Sequence, residues 1–185
     1  MSLVLVKEDG SGLATANTYA DAADGDAYHD GHLYASAWTA ATTASKEAGL
    51  AMATRLIDSY FRFNGFKRVS TQALQWPRAE CRDPDAEPGY VPGLLVVVGP
   101  FLDETTVPAV VVQAACELAR TLLEADRTAD PMGEGLRMLR IEGALRLDFD
   151  PKDKEPAVPR LVQSMLGRFG EYLGSGSGVA RLVRA

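Results

Sequence analysis

Cysteine and histidine are scarce in this 185-residue chain, which contains two residues of each type. Cys81 and Cys116 are far apart and too few to form a disulfide framework, so we expect free thiols. His29 and His32 lie three residues apart near a predicted helix end, where no third strong metal ligand is placed. The sequence therefore predicts no metal site and no cofactor. We interpret the histidine pair as part of a solvated helix end.

Long hydrophobic runs are also missing. The longest apolar stretch covers residues 94–98 and continues at Phe101 and Leu102, and it is far shorter than the roughly 20 residues of a bilayer-spanning helix. The short apolar stretch at residues 3–6 has no basic region before it, so it does not match a secretory signal. These absences predict a soluble protein with no membrane partner, and the free thiols predict that it is made in a reducing cytoplasm.

Signatures of catalysis and of nucleotide binding are absent as well. Gly10 and Gly12 lack the further residues of a dinucleotide-binding or phosphate-binding loop. The glycine–serine repeat at 174–178 follows no strand and precedes no helix, so it is not the sharp turn that presents a nucleophilic serine. The acidic residues at 148–155 miss the glycine of a calcium loop and contain Pro151. We therefore expect that the protein is not an enzyme.

Basic residues are in the minority, since 19 lysines and arginines stand against 25 acidic residues and give a formal net charge of −6. Residues 1–40 carry six acidic side chains and only Lys7 as a base, a net charge of −5. Non-specific binding of nucleic acid depends on neutralising phosphates with lysine and arginine. The average charge therefore argues against a DNA-binding role, which would require a local basic patch.

The periodicity of apolar residues predicts a mainly α fold, a small bundle of about four helices with a short β-hairpin, a long proline-rich loop and an extended C-terminal tail. Residues 1–173 are expected to form one helical domain, and 174–185 a flexible glycine–serine tether with an apolar, basic tip. Within the domain we expect a loop with a strand at 94–98, and a hairpin. The predicted helices cover about 18–30, 44–61, 106–125 and 158–172, the loop 64–105, and the hairpin 136–149.

The loop contains one segment with the character of an anchor, namely Leu74, Trp76, Pro77 and Arg78. A single tryptophan beside a proline in a loop is more often pinned to the core than exposed to a ligand. The alternative is that Trp76 stacks on a nucleic-acid base beside an arginine. The basic residues around it are offset by nearby acidic residues, which favours the anchor.

Four stretches of the chain together resemble a family of tailed-phage head-to-tail adaptor, or head completion, proteins that are often labelled as DnaT-like single-stranded DNA-binding proteins. They occur in the order and spacing of the family and cover most of the chain. They are Val6–Tyr19 with Asp26–Tyr28, Lys46–Asp58, Gln72–Arg78, and Val107–Pro108 with Gln113–Ala119.

This resemblance implies a structural protein of the virion neck that performs no catalysis. It implies a ring of twelve copies that docks under the portal protein, contains DNA only as the contents of its channel, and offers a surface to the next neck, stopper or tail protein. The C-terminal segment is then expected to dock on the portal. Its contact residues would be Val179, Arg181, Leu182, Val183 and Arg184.

A second function stays open beside the adaptor. The common label of the family implies a single-stranded DNA-binding phage replication protein, although the net charge and the lack of interleaved aromatic and basic residues argue against it. A third interpretation, a small hydrolase or metalloenzyme, has no residues in its favour. Salt-dependent binding of an oligonucleotide discriminates the first two.

Overall fold

The structure, a computed structural model, describes residues 3–86, 100–129, 138–141, 145–148 and 155–174. The segments 138–141 and 145–148 are described by their backbone alone. The predicted strand at 94–98 and the predicted docking tail, including Val179, Arg181, Leu182, Val183 and Arg184, lie outside the described residues. No described helix is long and apolar enough to cross a bilayer.

Two long helices form the centre of the core. Helix α3 spans Thr43–Tyr60, and its N-cap Thr42 accepts a hydrogen bond from the backbone N–H of Ser45. Helix α4 spans Ala109–Glu124 and follows Pro108. Both helices bury one broad face and pack against each other over their length. The clear apolar periodicity of both segments made these two helices predictable to within three residues at each end.

Two shorter helices cover one side of this pair. Helix α1 spans Ala22–His29 and begins at a capping box formed by Asp21 and Asp24. The predicted start of this helix near residue 18 was wrong, because the backbone of Thr18 instead pairs with the N-terminal segment in a parallel bridge to Lys7. Helix α2, Ser36–Thr39, was not predicted. It brings Trp38, which is 1% exposed, into the core.

The remaining elements are short antiparallel ribbons and one further helix. Strand β1, Phe61–Phe63, follows α3 directly and pairs with β6, Gly170–Tyr172. Strand β2, Phe66–Lys67, pairs with β3, Arg78–Ala79. Strands β4, Met138–Ile141, and β5, Leu145–Asp148, pair within the range over which a hairpin was expected. Helix α5 spans Arg160–Leu166.

The expected helical bundle is therefore wrong, since the described residues form five helices and three two-stranded sheets, a mixed α and β domain. Two segments account for most of the difference. The predicted loop at 64–105 contains β2 and β3, and the predicted fourth helix stops at Leu166, after which β6 pairs with β1. These pairings join residues far apart in sequence, so the local pattern of apolar residues did not indicate them.

Candidate functional site

Arg78 of β3 holds the ribbon of β2 and β3 in place through its buried side chain. Its guanidinium donates to the backbone oxygens of Phe63, Asn64, Gly65 and Gln75 at 2.7–3.2 Å. Arginine is suited to this position because its planar group carries five donors in a fixed geometry. The charge of Arg78, which is 6% exposed, is therefore used inside the fold and is not offered to a ligand.

The predicted anchor segment is buried at all four positions, with Leu74, Trp76 and Arg78 at 8, 0 and 6% exposure and Pro77 also buried. Trp76 packs edge-on against Phe63 and Phe169, which carry it into the main core. A fully buried ring has no face open to a nucleobase. Trp76 is therefore a core residue in this conformation and does not stack on nucleic acid.

A buried tyrosine–carboxylate pair joins this segment to α3. Tyr19 Oη donates to Asp58 Oδ1 at 2.5 Å, and it accepts from the backbone N–H groups of Gln75 and Trp76. Gln75 N–H also donates to Asp58 Oδ2. Burial raises the pKa of Asp58 to about 6 and raises the pKa of Tyr19 well above its usual value. The pair fixes the base of the loop that carries β3.

The N-terminal loop is tied to the same ribbon. The buried carboxylate of Glu8 accepts from the backbone N–H groups of Gly10, Gly12 and Leu13. Gly10 has φ +96° and lies so close to the backbone of Thr105 that a Cβ would clash. Its carbonyl accepts a hydrogen bond from Arg68 at 2.9 Å, which orients one edge of the Arg68 guanidinium.

An exposed surface with basic and aromatic side chains lies on these ribbons, and we define it as the ribbon face. Phe66 and Phe101 are 52 and 48% exposed. The backbones of Gly65 and Cys81 lie close together. Phe66 and Arg82 each follow one of these residues, so their Cα atoms are within roughly 13 Å of each other, because each step along the chain adds about 3.8 Å. Phe101 pairs with Arg82 in an antiparallel bridge. The name covers five side chains of this region, Phe66, Lys67, Arg68, Arg82 and Phe101, of which Lys67 leaves β2 on the side opposite to its neighbour Phe66.

The charge of this region differs from that of the whole chain. Residues 62–82 contain five basic side chains and one acidic side chain, a net charge of +4. Lys67 donates to two backbone carbonyls, which leaves its third ammonium hydrogen for a ligand. Among the residues that the structure describes, no carboxylate forms an ion pair with Lys67, Arg68 or Arg82. Within the described residues the ribbon face thus carries three cations without an ion pair, while the carboxylates of Asp58 and Asp103 act electrostatically on Lys67 and Arg68.

The histidine pair is placed differently from the prediction. His29 is 2% exposed, so the solvated helix end was wrong for this residue. Its Nε2 lies 3.2 Å from the carbonyl of Cys116, and burial lowers its pKa. His32 Nε2 lies 3.6 Å from Glu117, whose carboxylate is paired with Arg120. In the described part of the chain, no group of three metal-ligating side chains could hold an ion.

A cleft of about 510 Å³ opens between the N-terminal segment and α4, and its polar groups are already paired within the protein. Lys7 bonds to Asp21 and Asp24, while Glu8 and Tyr19 have the partners given above. The two cysteines are buried free thiols. Burial raises the pKa of Cys116 to about 12 and also raises that of Cys81, so neither is an activated nucleophile.

One protein-family model matches the chain over residues 1–185, and its description is "Putative DnaT-like ssDNA binding protein". The chain belongs to this family. No curated protein and no solved structure matches it. The description of the DnaT-like family names single-stranded DNA and gives no support to a portal, stopper or tail protein as a partner. The expected structural adaptor of a virion neck is corrected on this ground.

For this DnaT-like chain, sequence reasoning missed the two exposed aromatic residues of the ribbon face. Phe66, Lys67 and Arg68 are consecutive, and this aromatic–basic triplet could have been noticed. Counting charge in a window of about 20 residues would also have revealed the +4 segment. The bridge that adds Phe101 to Arg82 could not be read from the sequence, because it spans a long, proline-rich segment.

Proposed function

We propose that this chain is a non-catalytic protein that binds single-stranded DNA on the ribbon face. The observation that carries the proposal is that two half-exposed aromatic rings, Phe66 and Phe101, occur in the same short ribbons as three cations that have no ion-pair partner among the described residues. Proteins that bind single strands combine a basic surface along the backbone with aromatic rings on which bases stack. The family description points to the same ligand.

The acidic balance of the whole chain does not oppose this proposal. Residues 1–40 hold a net charge of −5 and account for most of the total of −6. The ribbon segment at 62–82 holds +4. Because salt screens interactions between exposed charges beyond about 10 Å, a DNA strand responds mainly to the charges that are near it. The uneven distribution therefore also favours one preferred face for the strand.

The aromatic rings give the most specific test of the proposal. Phe66→Ala and Phe101→Ala remove exposed rings and leave the core intact. Each variant is expected to weaken binding of an oligothymidine by about 1–3 kcal/mol, which is roughly 5- to 150-fold in Kd. The change is measured by fluorescence anisotropy with a labelled oligonucleotide.

Tyr34→Ala is the matched control for these variants. Tyr34 is 75% exposed, but it lies in the loop between α1 and α2, beside Arg120. Its removal is expected to leave the Kd unchanged. If the phenylalanine variants bind as tightly as the Tyr34 variant, the ribbon face is not the binding surface.

A further inference from the structure

Two exposed arginines lie next to the ribbon face, and each is paired with a carboxylate. Arg62 Nη2 lies 2.5 Å from Glu171 Oε2, and Arg168 pairs with Asp85. The arginines are 72 and 52% exposed, and their partners 64 and 69%. Ion pairs this exposed contribute little to stability, because water and salt compete with them. A stronger anion can therefore replace either carboxylate at little cost.

Both arginines are near the ribbons in the fold, since Arg62 lies in β1 and Arg168 lies two residues before β6, which pairs with β1. Arg62 is the outward residue of β1, between the buried Phe61 and Phe63. The backbone N–H of Asn64 donates to the carbonyl of Phe169 at 2.8 Å, which places Arg168 beside the turn from β1 to β2. Asp85, the partner of Arg168, is three residues after Arg82 in the chain, and Arg82 forms the bridge with Phe101.

We propose that Arg62 and Arg168 are two further phosphate contacts of the bound strand, and that Glu171 and Asp85 occupy these arginines until DNA displaces them. A guanidinium binds a carboxylate and a phosphate in the same way, because each anion offers two oxygens to two parallel N–H groups. The carboxylates lower the affinity for polyanions in general. This inference rests on the proposed function and concerns the same strand.

Removing the competing carboxylates is the direct test. Glu171→Gln and Asp85→Asn keep the size of each side chain and remove its charge. Each variant is expected to bind an oligothymidine roughly 1.5- to 5-fold more tightly than the wild type, the range that corresponds to the loss of one exposed ion pair. Both substituted positions are exposed, so folding is expected to be unaffected.

Two further sets of variants distinguish a freed arginine from a general change of charge. Arg62→Gln and Arg168→Gln are expected to weaken binding. Each is also expected to make the negative slope of log Kobs against log salt shallower by about 0.7. Glu171→Gln is expected to produce no tightening in the Arg62→Gln background, and Asp85→Asn none in the Arg168→Gln background. Persistent tightening in these double variants would overturn the inference, because it would then come from net charge alone.

Glu124→Gln is the control for net charge at a distance. Glu124 is 48% exposed and pairs with Arg120 on α4, so its substitution frees an arginine that is not part of the proposed site. Its substitution is expected to change the Kd less than about 1.5-fold. Equal effects of Glu171→Gln, Asp85→Asn and Glu124→Gln would also overturn the inference. In that case the proposed function would still stand, provided that the wild type binds the oligonucleotide. Absence of wild-type binding would instead overturn the proposed function, and the inference with it.

Discussion

At the scale of single residues, burial decides which of the basic side chains are available to a ligand. Arg78 and Arg82 lie four residues apart in the same segment. Arg78 is 6% exposed and its guanidinium is used up by backbone carbonyls, whereas Arg82 is exposed on the ribbon face. The sequence placed Arg78 in the predicted anchor segment beside Trp76 and Pro77, whereas no local pattern indicated the exposed position of Arg82.

Asp58 makes stability depend on pH in a direction opposite to that of most carboxylates. Its pKa is about 6 in the folded protein because of burial, and about 3.9 in an unfolded chain. The folded state therefore binds the proton more tightly. The contribution of this group to stability is fully present below about pH 4, declines as the pH rises from 4 to 6, and is lost above that range.

Asp58→Asn tests this assignment. We expect the free energy of unfolding of the wild type, relative to that of the variant, to fall by on the order of 2 kcal/mol between pH 4 and pH 7. Urea unfolding of both proteins across this range measures the difference. A difference that is constant with pH, or that grows as the pH rises, would contradict the raised pKa of Asp58.

At the scale of elements, the packing of the helices distinguishes two buried glycines, Gly49 and Gly25, to which helical propensity alone assigns the same cost. Gly49 lies in α3 and faces Ala119 of α4, where an added Cβ would meet ordinary contacts at 3.6 Å. Gly25 lies in α1, where an added Cβ would be 2.2 Å from the ring of Trp38. Gly25 is therefore required by α2, an element that the sequence did not reveal.

Substituting each glycine with alanine is expected to have opposite effects. Gly49→Ala gains about 0.5–1 kcal/mol of stability from the higher helical propensity of alanine and the reduced entropy of the unfolded chain. Gly25→Ala has the same gain but displaces Trp38, so we expect a net loss of about 1–3 kcal/mol. Thermal and urea unfolding measure both. Equal shifts of the two variants would show that the close contact between α1 and Trp38 is wrong.

The same scale shows why the helices were more predictable than the strands. Helix α3 was expected at 44–61 and spans 43–60, because its apolar residues recur within the element itself. The pairing of β1 with β6 joins residues 61–63 to 170–172. Such short strands carry no period long enough to detect, and their partners are fixed by tertiary packing. Gly167 and Gly170 were the local signs that α5 ends early.

At the scale of the whole molecule, the distribution of charge matters more than its sum. The net charge of −6 argues against DNA binding, but it conceals a segment of +4 at residues 62–82 and one of −5 at residues 1–40. The fold then brings part of the positive segment into the short ribbons that also carry two exposed aromatic rings. The family could be recognised from the sequence, but the face that carries the proposed function required the bridge between Arg82 and Phe101.

The most direct test of the account is the salt dependence of wild-type binding to a single-stranded oligothymidine, with the matching duplex as the comparison. Three phosphate contacts on the ribbon face, or five with the two flanking arginines, predict a slope of log Kobs against log salt between about −2 and −3.5. Binding is expected to favour the single strand, because base stacking on Phe66 and Phe101 needs unpaired bases. No binding near 50 mM salt, a slope near zero, or equal affinity for the duplex would contradict the account.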